Sequence, residues 1–255
     1  MIPKIVPPLI GLGVLVTRPA GQAQTLYAEI ERLGGTAHKF PTIAIEPLAA
    51  AAAAPCDLVV FASVNAVEHG KRLVAPNPAM KVAAIGKATA SALEQAGFKV
   101  DYVPEAGFTS EALLAHPELT LREGMRVLIV RGEGGRELLM NTFAERGLIV
   151  ETRQVYRRVR PAIEPHARDT LEREWSEGNV DIVTLTSVAT LENLYAMLSE
   201  RGRELLAKTP VLVVSKRIAA AARDHGLQGE IVSAPAPDDA SIVGTLAKWH
   251  ARART

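Results

Sequence analysis

Cysteine is nearly absent: Cys56 is alone among 255 residues. No intrachain disulfide can form, which excludes a disulfide-stapled scaffold and fits a reducing compartment. Aromatic residues make up only 4 % of the chain, few for rings that would flank a flavin. Neither sign of charge is in excess, with Lys+Arg at 29, Asp+Glu at 28 and a formal net charge of +1. That balance gives no extended basic surface for nucleic acid or an anionic membrane, and leaves room only for a locally basic pocket. No apolar run reaches the ~18 residues of a membrane span. The stretch from Met1 to Gly13, broken by Pro3, Pro7 and Pro8, lacks the apolar core and small-residue cleavage site of a secretory signal. The expectation is a soluble, cytoplasmic protein with no nucleic-acid and no membrane partner.

The common catalytic signatures are missing too. No GxGxxG follows the first aliphatic run and no GxxxxGK[ST] loop occurs, which argues against a dinucleotide or P-loop site. The histidines, His38, His69, His116, His166, His225 and His250, show no HExxH or paired-ligand spacing, and one cysteine makes no zinc cage. There is no GxSxG elbow, and Cys56 precedes its aliphatic run rather than ending it. The chemistry is therefore expected to need no metal, no cofactor and no covalent nucleophile.

What is present is aliphatic. Hydrophobic residues reach 48 % and charged residues 22 %, enough for a substantial core, and the length suits two small domains. Short runs read as buried parallel strands: Gly13 to Thr17, Leu58 to Ala62, Val82 to Ile85, Val127 to Val130, Ile182 to Leu185 and Val211 to Val214. Amphipathic stretches rich in Ala, Leu, Glu and Arg lie between them and read as helices, so the fold class is layered α/β.

The order of these pieces repeats. At an offset of 113, Val14 to Leu48 matches Val127 to Pro161, with identities at Arg18/Arg131, Gly21/Gly134, Leu26/Leu139 and Gly34/Gly147. Asp57 to Val64 matches Asp181 to Val188 at an offset of 124, and Val82 to Val100 matches Val211 to Gly229 at 129, keeping Lys87/Lys216 and Gly97/Gly226. Three matches in one order point to two related halves. At equivalent places stand two β-prone segments that end in Pro, Phe40 to Pro47 and Arg153 to Pro161. They suit a two-stranded connecting ladder or, alternatively, the second strand of each sheet.

Ligands of open α/β sheets sit beyond the carboxyl ends of the strands. Here those ends carry Thr17-Arg18, Ser63-Val64-Asn65, Gly86-Lys87-Ala88-Thr89, Arg131-Gly132, Thr186-Ser187 and Ser215-Lys216-Arg217. Small hydroxylated residues, backbone N–H groups at helix starts and the cations Arg18, Lys87, Arg131 and Arg217 together suit an anion. Plain helix capping and solvated surface charge are the alternatives at each position.

Taken in order, several of these strings resemble the uroporphyrinogen-III synthase family: Val14-Leu15-Val16-Thr17-Arg18-Pro19, Phe40-Pro41-Thr42-Ile43, Phe61-Ala62-Ser63-Val64-Asn65-Ala66-Val67, Ala84-Ile85-Gly86-Lys87-Ala88-Thr89-Ala90, Val130-Arg131-Gly132, Gln154-Val155-Tyr156 and Leu185-Thr186-Ser187. Asp238 to Leu246 is similar to the family's last helix. The resemblance runs from about Val14 to Trp249. It departs at Val188-Ala189-Thr190, where the family more often has a Pro or Gly and a Ser.

The resemblance implies two flavodoxin-like lobes with a cleft between them. One lobe would be discontinuous, 1–41 with 163–255, the other would be 48–153, and 42–47 and 154–162 would form the ladder. It implies a substrate, hydroxymethylbilane, that is a linear tetrapyrrole with many carboxylates. It implies a cofactor-independent loss of water with ring closure and inversion of ring D, and it allows a transient contact with the upstream hydroxymethylbilane synthase. It assigns Tyr156 to the departing hydroxyl and Ser63, Thr89 and Ser187 to product contacts. A two-lobed cytosolic protein that only binds a small anionic ligand is the alternative.

Overall fold

The aliphatic runs form strands and the stretches between them helices in a computed structural model that describes residues 7–75, 77–107 and 109–253. The strands are β1 (Gly13–Val16), β2 (Thr36–Lys39), β3 (Ala44–Pro47), β4 (Leu58–Phe61), β5 (Lys81–Ala84), β6 (Arg126–Gly132), β7 (Ile149–Val159), β8 (Ile182–Leu185), β9 (Val211–Val213) and β10 (Ile231–Ser233). The helices are α1 (Gln24–Arg32), α2 (Val64–Gly70), α3 (Lys87–Gln95), α4 (Ser110–Leu114), α5 (Leu138–Glu145), α6 (Pro165–Ser176), α7 (Val188–Met197), α8 (Glu200–Lys208), α9 (Lys216–Asp224) and α10 (Asp239–Ala253). The chain divides into two compact units, Met1–Ala44 with Arg160–Thr255, and Ile45–Val159.

In the first unit the sheet order is β10-β9-β8-β1-β2, and every pairing is parallel. Numbered within the unit this is 2-1-3-4-5, the flavodoxin-like order. Alternation along the strands sends Val14, Val16, Ile182 and Leu212 to one face, against α1 and α10. Leu15, Val183, Leu185, Val211 and Val213 go to the other, against α6 to α9. Strands buried on both faces read as continuous aliphatic runs, which is why these were legible.

In the second unit the order is β3-β7-β6-β4-β5, with β7-β6-β4-β5 parallel. Tyr102 adds a single parallel bridge to Ala83 of β5. Val59, Phe61, Val82, Ala84, Leu128 and Val130 face α2 and α3, while Leu58, Val60, Ala83, Val127 and Ile129 face α4 and α5.

The sequence repeat is a structural repeat that keeps its strand registers. Gly13 pairs with Thr36 as Arg126 pairs with Ile149. Val14 pairs with Ile182 as Val127 pairs with Leu58, and Val183 pairs with Val211 as Val59 pairs with Val82. The offsets of 113, 124 and 129 convert each pair into its counterpart. One side-chain bond is duplicated as well. Asp181 Oδ2 accepts from Gly13 N–H at 2.7 Å, and Asp57 Oδ2 from Arg126 N–H at 2.7 Å.

The repeated glycines have a common cause. Gly34, Gly147, Gly97 and Gly226 follow α1, α5, α3 and α9 with φ of 87, 75, 87 and 78°. After each, the next N–H bonds back to a carbonyl inside the helix, as in Leu148 to Phe143 and Leu227 to Ala222 at 3.0 and 3.1 Å. This left-handed helix stop is costly for any residue with a Cβ.

The two Pro-ended segments differ from one another. β7 is eleven residues long. It pairs with β6 from Ile149 to Tyr156, its start being the second strand of the repeat, and toward its end it carries β3 on the opposite edge. There Leu48 N–H donates to Val155 O at 2.9 Å and Arg157 pairs with Glu46 at 2.9 Å. In the first unit the second strand is β2, which precedes Phe40, and only Ala44–Pro47 of the Phe40 segment is strand. No helix among the described residues is long and apolar enough to cross a membrane.

Candidate functional site

A cavity of about 320 Å³ opens at the carboxyl ends of β4 and β6 in the second unit, within the size range of small-molecule pockets. Ser63, Arg131, Gly132, Tyr156 and Arg158 line it, together with Thr109, Ser110 and Arg136.

A bulge positions Tyr156. Between Arg131 and Gly132 the register of β6 and β7 shifts, so that Arg131 opposes Gln154 and Gly132 opposes Tyr156. In a regular strand Val155 and Tyr156 would point to opposite faces. Here both are buried in the same apolar cluster, and Glu133 N–H bonds Tyr156 O at 2.7 Å. The ring lies across Gly132. A Cβ at 132 would stand 2.5 Å from Tyr156 Cζ and 2.9 Å from its oxygen, so only glycine fits.

Tyr156 is 3 % exposed, yet its oxygen has polar neighbours. Ser63 Oγ is 3.0 Å away, and Arg158 Nη2 donates to Tyr156 Oη at 3.2 Å. The Arg158 guanidinium carbon stands 5.5 Å from the ring centroid. Ser63 is the N-cap of α2, its Oγ accepting from Ala66 N–H at 3.1 Å. Arg131 holds the loop after β6, donating to Arg136 O at 3.1 Å, to Gly132 O at 3.3 Å and to Gly134 O.

Of the residues singled out from the sequence, Ser63, Arg131, Gly132 and Tyr156 meet at this cavity. Asn65 and Thr89 are buried within α2 and α3, Gly86 is the extended N-cap residue of α3, and Lys87 is exposed in its first turn. These four lie in the same unit but do not line the cavity. The others belong to the first unit. Arg18, the repeat partner of Arg131, likewise ties a loop, donating to Asp239 Oδ1 at 2.5 Å and to Pro237 O. Thr186 follows β8, and Ser187 caps α7, accepting from Thr190 N–H at 3.0 Å and bonding Thr190 Oγ1 at 2.7 Å. Ser215 caps α9 through Ile218 N–H at 3.3 Å, with Arg217 exposed in its first turn.

Sequence reasoning missed Arg158, Arg136, Thr109 and Ser110. Arg158 had a signal, since it stands two residues after Tyr156 on a strand and therefore shares its side. Thr109 and Ser110 begin α4, which precedes β6 and lies outside the matched repeats. Cys56 is half-buried, with Sγ 3.6 Å from Met80 Sδ. Burial pushes its thiol up, which makes it a poor nucleophile at neutral pH.

Residues 24–244 match the family model described as Uroporphyrinogen-III synthase HemD. The chain is 35 % identical to the uroporphyrinogen-III synthase of Escherichia coli K12 over 246 residues, covering 91 % of this chain and 98 % of that one. Among solved structures it shares its fold with a mutant uroporphyrinogen III synthase from the extremely thermophilic bacterium Thermus thermophilus (TM-score 0.55, 24 % identity, 95 and 99 % of the two chains covered). It shares it also with uroporphyrinogen-III synthetase from Helicobacter pylori 26695 (TM-score 0.60, 14 % identity, 95 and 100 % covered). With a family model matching most of its length and a relative this similar across nearly the whole of both chains, the protein belongs to the uroporphyrinogen-III synthase family.

Proposed function

We propose that this chain closes hydroxymethylbilane to uroporphyrinogen III, with loss of water and inversion of ring D, and that Tyr156 assists departure of the hydroxyl. The observation that carries the reading of the site is the Tyr156 oxygen, bonded to Ser63 and Arg158, on a residue that lines a cavity with Arg131, Arg136 and several hydroxyls. A phenol donates a hydrogen bond at neutral pH. The leaving hydroxyl takes up a proton and departs as water, and the electron pair that expels it comes from the pyrrole. The methylene of the resulting azafulvene is attacked by the already substituted carbon of ring D, giving a spirocyclic pyrrolenine. The bond from that carbon to its original bridging methylene then breaks, and the freed methylene is attacked by the unsubstituted α-carbon of ring D. Loss of a proton from that α-carbon restores the pyrrole and the proton balance. Because the pyrroles push, the protein's own task is chiefly to place ring D.

The substrate's carboxylates suit the strand ends. Backbone N–H groups and hydroxyls at Ser63, Asn65, Gly86, Lys87 and Thr89, and at Thr186, Ser187, Ser215 and Arg217, would each offer a charge-assisted contact. Arg18 and Arg131 contribute by fixing the loops on which such donors stand. In this reading the two units act as lobes joined through 42–47 and 154–162, in the cytoplasm, receiving substrate from hydroxymethylbilane synthase. The direct test is turnover of hydroxymethylbilane with the uroporphyrin isomer identified after oxidation. Isomer III is the synthase result; a protein that only binds the tetrapyrrole leaves isomer I.

A further inference from the structure

We infer that Arg158 is a positioning residue that acts through Tyr156, directing the phenol proton into the cavity; this rests on the role of Tyr156 proposed above. β7 carries two adjacent arginines that face different partners. Arg157 pairs with Glu46 at 2.9 Å across the β3 edge. Arg158 turns the other way, donating to Tyr156 Oη at 3.2 Å with its guanidinium carbon 5.5 Å from the ring centroid.

A phenol oxygen has one proton to give and two lone pairs to fill. A guanidinium has donors and no acceptor, so the bond from Arg158 fills one lone pair. Ser63 Oγ, at 3.0 Å, already accepts from Ala66 N–H, and its own proton is free to fill the second. In the inferred arrangement Ser63 fills that second lone pair, and the phenol O–H then points away from Ser63 and Arg158, toward the cavity. The other arrangement spends the phenol proton on Ser63 and leaves nothing to offer a substrate oxygen; the bond donated by Arg158 polarises the phenol O–H and makes its proton easier to give when such an oxygen enters. The guanidinium also stabilises the negative charge that builds up on Oη as the proton leaves, a Coulombic gain available only while the proton is in transfer.

The test is a double-mutant cycle with separate kcat and KM, using Arg158→Met, Tyr156→Phe and the double variant. Arg157→Met serves as a control for general surface charge. Arg158 is exposed, so its removal is expected to leave the fold intact, and circular dichroism with the melting temperature checks this on the same samples. Arg158→Met should lower kcat about 3- to 10-fold, the scale of one lost hydrogen bond, with KM moving less than about twofold. It should cost nothing further in the Tyr156→Phe background. Arg157→Met should match the parent enzyme, and Arg158→Lys, which keeps a cationic donor, should recover part of the loss. An unchanged kcat in Arg158→Met, the same proportional loss with and without the phenol, or a loss confined to KM would each overturn the inference. A Tyr156→Phe enzyme at full rate would instead overturn the reading of Tyr156, a result that the cycle separates from the others.

Discussion

The oxygens of Tyr156 and Ser63 stand 3.0 Å apart although the residues are 93 positions apart in sequence. Ser63 also caps α2 through Ala66 N–H, so the phenol is bonded to a group whose own position is fixed by a helix start. Its ring is fixed from the other side by Gly132. A group held this way is suited to act on a bound molecule without reorganising.

Removing the phenol oxygen alone should slow turnover. General-acid assistance is typically worth ~10²–10⁴-fold, and Tyr156→Phe should fall below that range because the pyrrole already drives the hydroxyl out and water can replace the donor. The ring stays, so the melting temperature should move little and isomer III should remain the main enzymatic product. Rate, isomer ratio and thermal stability measured on one sample check this. A variant at full rate makes Tyr156 structural; an active one giving isomer I makes it a steering residue.

Filling the space beneath the ring should do more. A Cβ at 132 meets Tyr156 Cζ at 2.5 Å and Cε2 at 2.8 Å, and overpacking of this kind costs roughly 1–3 kcal/mol. Gly132→Ala is expected to destabilise the second unit by about that amount and to reduce the rate at least as far as Tyr156→Phe. Chemical denaturation and initial rates measure both. Parental stability with parental rate would show that the ring shifts without consequence.

The helix stops predict opposite signs for one substitution. Gly97 and Gly226 have positive φ and nothing within 4 Å of a built Cβ, so alanine there meets only backbone strain, worth about 1–2 kcal/mol. Gly244 is exposed inside α10, also with open space and without positive φ, and alanine there should stabilise by roughly 0.5–1 kcal/mol. Thermal denaturation should show lower midpoints for the first two variants and a higher one for the third. A common sign for all three would contradict the assignment.

One carboxylate should link stability to pH. Burial works against ionisation of Asp101, but Lys81 Nζ at 2.8 Å and Val82 N–H at 2.9 Å outweigh it and hold the carboxyl below the ordinary carboxylate range. A lowered folded-state pKa contributes stability that is complete above the unfolded value, near 3.9, and is lost as pH falls through the folded one. Asp101→Asn should therefore unfold at lower urea than the parent at neutral pH, with the gap narrowing as pH falls below the unfolded value. A gap that widens in acid would contradict the sign.

Strands buried on both faces announced themselves as aliphatic runs, and their observed ends fall within a few residues of the sequence reading. β2, Thr-Ala-His-Lys, and β10, Ile-Val-Ser, did not, because each is a half-buried edge strand without such a run. The repeat was legible where a backbone conformation demanded the same residue twice, as at Gly34/Gly147 and Gly97/Gly226. The site was legible only in pieces. Arg18 and Arg131 showed in the sequence as strand-end cations, but their bonds to Asp239 and to the Gly134 carbonyl depend on loops whose path no local pattern specifies. The fit of Gly132 to Tyr156 depends on a register shift between strands, which leaves no mark in composition or periodicity.

The central claim is that this chain makes uroporphyrinogen III. Hydroxymethylbilane generated in situ, incubated with increasing amounts of the purified protein and then oxidised, gives uroporphyrin whose isomers can be separated and counted. The account predicts a share of isomer III that rises with protein from the buffer value toward completion. An unchanged preponderance of isomer I at every protein concentration would contradict it.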